Sequence, residues 1–509
     1  MQLHQRFIQT AKKFGKKIAV YDIATGKDVS YERMLIISLI FAKKFKKIKS
    51  KYVGVMVPTS AGCMLTNLGL LMVGKIPVMI NYATGAIENS IYAQEKCNFE
   101  TIIASKKLLE KLNLEPLDSM IFLEDIAATI KLSDKLPALL KSKGSASRII
   151  KGVHHGDMDE TAVILFTSGS EKEPKAVQLT HKSIGHNVDN IPKILDLNSN
   201  DIFLANLPLF HVFGITANFW LPIILGTNIV AYPNPLDYKI ICGLVKQYKV
   251  TLMAGTPAFY YGYLKKSSPG DFASMKVAIS GADTLTKQIY EGFLEKHNLI
   301  INNAYGTTET SPAISINTPD VNRVGSVGKP IPGVEVKIMD VDTDEILPPN
   351  QTGKILVSGD MVMKGYLGDL EETSLRIHKG WYDTGDMGYL DEDGFLWHKG
   401  RLKRFVKVGG EMVSLVKVEE VLSKYLPNDV ICCVVDVPNS TKGADVVAAV
   451  TTGEIDQRDI LKKMAAELPA IAVPKEFYVL EDIPMMGSGK VNFREVEITC
   501  RELRRKGKK

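Results

Sequence analysis

YVGVMVPTSAGCMLTNLGLLMVGKIPVMINYATGAIENSIYAQEKCNFETIIA, residues 52–104, carries the alternation on which the fold turns. Tyr52–Val57 is a short apolar run of strand type, and Ala61–Gly74 is apolar over a helical length. Ile76–Ile80 reads as a second strand, Ala86–Asn98 as a polar helix, and Thr101–Ala104 as a third strand. Strand, helix, strand, helix, strand predicts a parallel sheet with crossover helices. Further runs of strand type, Val163–Phe166, Ile229–Tyr232, Val250–Ala254 and Val277–Ser280, end in Gly, Pro or Ser loops. In open parallel sheets such loop ends carry ligand sites.

Residues 325–400 are rich in Gly, Pro and Asp, which predicts antiparallel β structure. Beyond Arg401 a compact α/β pattern returns: helix at Val418–Tyr425, strands at Ile431–Asp436 and Val446–Thr451, helix at Gln457–Glu467. The reading is an α/β protein with a large N-terminal domain, residues 1–402, and a small α+β domain, residues 403–509. The chain has 509 residues, and a single core rarely grows past about 250–300.

Apolar residues make up 45% and charged residues 24%, which excludes a disordered or fibrous chain. Six cysteines, with Cys432 and Cys433 adjacent, suit neither a disulfide scaffold nor zinc, and point to a reducing cytoplasm. A net charge of +6 does not call for nucleic acid. The cations cluster, however, at Lys43–Lys51 and at Arg501–Lys509. Each cluster reads as a solvated face, or as a surface for an acidic partner or the inner face of an anionic membrane. Met1–Lys13 is polar and has no signal-peptide core. Ile202–Leu236 carries no Asp, Glu, Lys or Arg, but it contains Pro208, Pro222, Pro233 and His211. It reads as buried strands and loops around an apolar pocket, with a membrane span as the alternative.

One loop has chemistry. Thr161-Ala-Val-Ile-Leu-Phe-Thr167-Ser168-Gly169-Ser170-Glu171-Lys172-Glu173-Pro174-Lys175 is a strand feeding a hydroxyl-rich turn and a lysine, suited to phosphate. The Walker A spacing is absent. Downstream lie Asn303-Ala-Tyr305-Gly306-Thr307-Thr308-Glu309, Trp381-Tyr-Asp-Thr-Gly-Asp386, Gly400-Arg401-Leu402-Lys403-Arg404-Phe405-Val406-Lys407 and Pro484-Met-Met-Gly487-Ser-Gly489-Lys490-Val491-Asn-Phe-Arg494. In this order the motifs, spanning 167–494, resemble the AMP-forming acyl-activating superfamily: acyl-CoA and acyl-acyl carrier protein synthetases, luciferases and peptide-synthetase adenylation domains. Within it, Thr167–Glu171, Lys403–Leu415 and Met486–Lys490 look like the acyl-acyl carrier protein synthetases. That domain is often fused to a 2-acylglycerophosphoethanolamine acyltransferase, for which this chain has no room. His154 and Asp159 match an acyltransferase H-x4-D spacing by coincidence.

The resemblance implies the adenylate-forming fold, with the small domain hinged to the large one. It implies that Thr167, Ser168, Gly169, Ser170 and Lys175 hold ATP phosphates, although Lys172 and Ala176 stand where glycine is usual. It implies that Thr308 touches the α-phosphate and that Glu309 helps hold Mg²⁺. Tyr305 would stack on adenine opposite Gly281 and Ala282, beside Gly306 and Thr307. Asp386 and Arg401 would bind ribose. Lys490 would bridge carboxylate and α-phosphate, Lys403 would be the hinge, and Lys407 and Gly410 would belong to the thioester-forming face.

Leu207-Pro-Leu-Phe210-His211-Val-Phe213-Gly214 matches the family's acyl-site loop. Amino-acid-activating relatives carry an Asp there to pair the substrate ammonium. Here it is absent, and a buried unpaired ammonium is costly. A carboxylic acid without an α-amino group is expected, with Phe219, Trp220, Phe259 and Tyr260 near its pocket. The expected reaction is ATP-dependent activation of a fatty acid, then transfer to holo-acyl carrier protein. Coenzyme A is the alternative acceptor, and a non-catalytic nucleotide-binding regulator is the reading from another class.

Overall fold

A computed structural model describes residues 1–167, 173–427, 430–439, 443–484 and 491–507. Among these residues two large sheets dominate. The first has seven strands in the order Gly365–Tyr366, Ala176–Thr180, Thr161–Phe166, Ile76–Met79, Tyr52–Met56, Ile102–Ala104, Met120–Phe122. Its last five strands run parallel, and Thr161–Phe166 pairs antiparallel with Ala176–Thr180. The alternation in residues 52–104 is therefore realised within a residue or two at strand ends and three at the Ala61–Leu71 helix end, where Gly74 has left-handed φ.

The second sheet has nine strands. Its parallel centre is Ile301–Gly306, Val277–Ser280, Leu252–Gly255, Ile202–Ala205, Asn228–Ala231 and Ile18–Asp22. Strands buried on both faces need continuous apolar sequence, and most of these runs supply it; Ile301–Gly306, with Asn302 and Asn303, is the exception. Both sheets send their carboxyl ends toward one cleft. Asp22 ties them there: its carboxylate accepts from the Ala61 N–H at 3.0 Å, at the start of the Ala61–Leu71 helix.

The region after 325 is antiparallel as expected, a five-stranded sheet built around Trp381–Leu390. The chain then makes a hairpin, Phe405–Val408 with Glu411–Ser414, and a three-stranded sheet with a helix at Gln457–Glu467. This C-terminal part has its own apolar clusters, one around Val418, Val434 and Val446 and one around Cys433, Val447 and Val496. The architecture is a large N-terminal α/β domain and a small C-terminal domain.

The charge-free segment 202–236 departs from expectation. Its middle is helical, Val212–Ile215, a π-turn at Thr216–Trp220 and Leu221–Leu225. An element apolar on every side shows no 3.6-residue period, so its sequence does not separate helix from strand. Pro222 is tolerated because it sits in the first turn of the last segment. Among the described residues no helix is long and apolar enough to cross a membrane.

Candidate active site

The cleft holds a cavity of about 1760 Å³. Thr167, Lys175, Phe210, His211, Phe213, Gly214, Gly281, Ala282, Tyr305, Gly306, Thr307, Thr308, Glu309, Arg401 and Lys403 all line it. Asp386 stands behind this wall. Residues as far apart in sequence as Thr167 and Lys403 thus share one chamber because strand ends from both sheets and the antiparallel region converge on it. Ser168, Gly169, Ser170, Lys172 and Lys490 lie outside the described residues.

The base of the phosphate loop is closed by two hydrogen bonds. The Thr167 N–H donates to the Lys175 carbonyl at 3.1 Å, and the Lys175 N–H to the Thr167 hydroxyl at 3.0 Å. The Lys175 ammonium forms an ion pair with Glu372, lies 5.0 Å over the Tyr366 ring, and so faces the cavity from a fixed position. Lys175 and Arg376 both hold Glu372 below the usual carboxylate range, Lys175 most. Ala176, where the resemblance expected glycine, is a buried strand residue paired with Phe166, and a methyl group fits there.

The carboxyl end of Ile301–Gly306 delivers the next residues. Glu309 is only 8% exposed, and the Tyr366 hydroxyl donates to its Oε1 at 2.8 Å. Among the described residues nothing donates a hydrogen bond to Oε2. A single carboxylate beside phosphates fits Mg²⁺, which keeps water and phosphate oxygens as its other ligands. Gly306 is required by packing, since a Cβ there would lie 1.8 Å from the Pro312 carbonyl oxygen. Gly281 is different: a Cβ would meet nothing closer than 3.4 Å, so the protein itself leaves that face open. Ala282 holds φ at +70°, a strained conformation that collects at ligand sites.

Asp386 is turned inward by an irregularity in the strand Trp381–Leu390, where Gly385 takes φ +72°. The Tyr305 hydroxyl donates to its Oδ2 at 2.5 Å, and the Arg401 Nε lies 3.0 Å from Oδ1. That Oδ1 is buried and, beside this ion pair, accepts no well-aligned hydrogen bond among the described residues. Such a carboxylate has acceptor capacity to spare, and a ribose hydroxyl is a donor of the right kind. Burial pushes the Asp386 carboxyl up, but His398, Arg401 and Tyr305 together hold it below its ordinary value. Burial, then the Asp386 charge, raises the Tyr305 phenol well above its ordinary value, so it stays a donor.

From this polar end the cavity continues along one face of the second sheet. Its wall passes from Thr256 through Ala254 to Leu252, about 13 Å of strand. Phe203, Ile279 and Ile316 line the same face, and Val212, Phe213, Ala217 and Leu221 line the opposite wall. Ile191, Leu195 and Leu197, at the end of the helix His181–Ile194, line it as well. The polar exceptions on the helical wall are His211 and Thr216, whose buried hydroxyl makes no hydrogen bond. Phe259 lines the cavity, whereas Phe219, Trp220 and Tyr260 are core residues. The Tyr260 hydroxyl is spent on the carbonyls of Met253 and Ile279.

Lys407 and Gly410 lie on the C-terminal hairpin, outside the cavity wall. Lys407 reaches Asp342 at 3.1 Å, and Gly410 (φ +94°) makes the turn. Arg404, in the same motif, is buried: it donates to the Val434 carbonyl at 2.7 Å and to Glu419 at 2.9 Å, and stacks 3.8 Å over Phe493, so it is not a surface cation. His154 pairs with Glu160 at 2.9 Å rather than with Asp159, away from the cavity. Sequence reasoning missed Tyr366, Glu372 and His398. Each acts through a residue of a recognised motif but lies in none, so only proximity reveals it.

A family model described as AMP-binding enzyme matches residues 7–367, and one described as AMP-binding enzyme C-terminal domain matches residues 417–490. 4-Coumarate–CoA ligase 1 of Arabidopsis thaliana is 26% identical over 517 residues, covering 96% of this chain and 91% of that protein. A long-chain-fatty-acid–CoA ligase of Bacillus subtilis (strain 168) is 32% identical over 342 residues, 65% of this chain and 60% of that protein. The crystal structure of ATP-bound MatB from Rhodopseudomonas palustris superposes with a TM-score of 0.82 at 22% identity, covering 99% of this chain and 100% of that one.

Proposed function

The chain belongs to the AMP-binding enzyme family and is an AMP-forming acid–thiol ligase; on that premise we propose that its acid is a fatty acid. The acid is activated by ATP as acyl-adenylate and the acyl group passes to a phosphopantetheine thiol. The observation that supports this most is the apolar arm beyond His211. Its wall is aliphatic and aromatic, and among the described residues named along it none carries a charge to pair an ammonium or a second carboxylate; the charged lining residues Asp22, Lys27, Lys107, Lys111, Glu124 and Asp283 belong to other parts of the cavity wall.

In this reading Asp386 and Arg401 take the ribose, and Tyr305 with Gly281 and Ala282 takes adenine. Thr167, Ser168, Gly169, Ser170 and Lys175 steady the phosphates, with Gly306 and Thr307 shaping the floor beneath. Thr308 donates to the α-phosphate. Mg²⁺, held by Glu309, would offset phosphate charge. Lys490 brings the acid's carboxylate to the α-phosphorus, where charge must be stabilised as pyrophosphate leaves. Phe210, His211, Phe213 and Gly214 form the mouth of the acyl arm.

The hinge belongs at Lys403, between domains 1–402 and 403–509. Arg401 is bound to Asp386 on one side and Arg404 to Glu419 on the other, so the short turn Leu402–Arg404 joins two anchored side chains, and a few backbone dihedrals there can absorb a rotation. Lys407 and Gly410 would then face the thiol.

Coenzyme A is the acceptor best supported, because the relatives named above are CoA ligases. Holo-acyl carrier protein is the second reading, favoured by the Lys403–Leu415 and Met486–Lys490 motifs. The enzyme is placed in the cytoplasm with peripheral contact to the inner membrane face. The test supplies hexadecanoate, octanoate or 4-coumarate with ATP and Mg²⁺ and reads pyrophosphate exchange. It then reads thioester on coenzyme A and on holo-acyl carrier protein. Exchange with the fatty acids and not with 4-coumarate is expected; the reverse order overturns the fatty-acid reading.

A further inference from the structure

The helix Leu132–Lys143 is packed inside out. The residues it buries are Asp134, Ala138 and Ser142, one narrow stripe at a four-residue spacing. Its leucines point away from the protein: Leu132 is 73% exposed, Leu136 53%, Leu139 39% and Leu140 68%. At 100° per residue these four fall on the side opposite the buried stripe. An amphipathic helix in a globular protein does the reverse.

Polar contacts hold this orientation. Asp134 accepts from Lys43 at 2.8 Å and lies 2.9 Å from Lys44, both on the helix Tyr31–Phe45. Lys12 donates to the Ser142 carbonyl at 2.8 Å. Rolling the leucines inward would turn Asp134 out and leave Lys44 and Lys12 against apolar side chains without these partners, so the outward face is built in.

The surroundings are cationic. Lys131, Lys135, Lys141 and Lys143 are exposed on the helix or at its start, and Lys43, Lys46, Lys47, Lys49 and Lys51 are exposed at the end of the neighbouring helix and just beyond it. The acidic groups contacting this set, Asp134 and Glu32, are each paired with a lysine. Exposed leucines on one side of a helix framed by lysines match a bilayer surface carrying anionic headgroups. Leu123 and Ala127, on the helix just before, line the active-site cavity.

We propose that the outward face of Leu132–Lys143, with the lysines beside it, seats the enzyme on an anionic lipid bilayer. Why a membrane is useful rests on the fatty-acid reading: a water-insoluble acid is concentrated in the bilayer. The contact itself rests on the surface alone.

The experiment is co-sedimentation of the full chain with vesicles of equimolar phosphatidylglycerol and phosphatidylcholine, and with phosphatidylcholine alone. A Leu132→Ser/Leu136→Ser/Leu140→Ser variant runs in parallel, with octanoate-dependent pyrophosphate exchange as the check on its fold. Expected is binding to the anionic vesicles that is released by high salt, and a loss of about tenfold or more in the variant with exchange unchanged. Wild-type protein left in the supernatant overturns the proposal, as does a variant that binds like wild type. So does a leucine-dependent complex with acyl carrier protein, or a leucine-dependent dimer, in place of vesicle binding. Vesicle binding without fatty-acid-dependent exchange sinks the fatty-acid reading and leaves this one standing; exchange without vesicle binding does the opposite.

Discussion

Asp386 shows how one side chain is prepared for a ligand. Tyr305 satisfies one oxygen, and the other, buried, pairs with the Arg401 guanidinium without a well-aligned hydrogen bond. Asp386→Asn removes a charged acceptor, a change worth about 1.5–3 kcal/mol, or roughly ten- to hundredfold in KM for ATP. Steady-state kinetics at fixed acid concentration read it. Because the folded carboxyl titrates below its ordinary value, its contribution is complete above the ordinary carboxylate range. It is lost only as pH falls through the depressed value, so ATP affinity is flat near neutrality. His4 behaves differently. Burial lowers it to about 4, against a backbone bond to His154 and the charge of Glu160; His154 and His155 push it further down. His181, whose Nδ1 accepts from the Leu3 N–H, sits against it, and burial holds it well below its ordinary value. For a base depressed on folding, the unfolded chain binds the extra proton, so stability is full above pH 6.5 and falls toward pH 4. His4 alone accounts for about 3 kcal/mol over that window. Tm measured from pH 7 to pH 5 falls, and His4→Gln flattens the slope.

At the scale of elements, the π-turn Thr216–Trp220 and the end of the helix His181–Ile194 decide how deep the acyl arm runs. The extra residue of a π-turn re-aims the side chains around it, and such turns gather at functional sites. Leu195 and Leu197 line the cavity together with Phe203 and Leu252, near the amino ends of the strands Ile202–Ala205 and Leu252–Gly255 that carry the latter two. Leu197→Ala opens that end and moves the preferred acid to longer chains; Leu197→Trp moves it to shorter ones. Exchange rates across a series of saturated acids read both shifts, and the Ala variant costs up to about 2–5 kcal/mol of stability, seen in its Tm. The strands in residues 52–104 were readable in advance because buried parallel strands are short, uniformly apolar and bounded by polar turns. The helical middle of 202–236 was not, because burial on all sides erases its period. Gly214 had been read as an acyl-pocket residue. It lines the cavity, yet it is also forced by packing, since a Cβ would lie 2.1 Å from the Pro208 carbonyl oxygen.

At the scale of the molecule, one contact between the small domain and the large one is the exposed pair Lys407–Asp342, worth about 0–1 kcal/mol. Gly400 and Val416 also approach each other across the same boundary. In the proposed function Lys490 meets the reacting phosphate, and Lys490→Ala removes it. Pyrophosphate exchange falls by about a hundredfold or more while Tm is unchanged. A variant that exchanges at the wild-type rate refutes the role.

The order of motifs from Thr167 to Arg494 was enough, by itself, to point to the superfamily and its large and small domains, and it named residues on three sides of the cavity, though not most of its lining. Chemistry that needs particular side chains on particular loops leaves them in particular places along the chain. Only the tertiary structure decided what those residues do to one another. Glu372 on Lys175, Tyr366 on Glu309 and the removal of Arg404 from the surface are products of packing between distant segments. So is the outward turn of Leu132–Lys143: its sequence is amphipathic either way round, and three lysines from two other helices determine which side faces water.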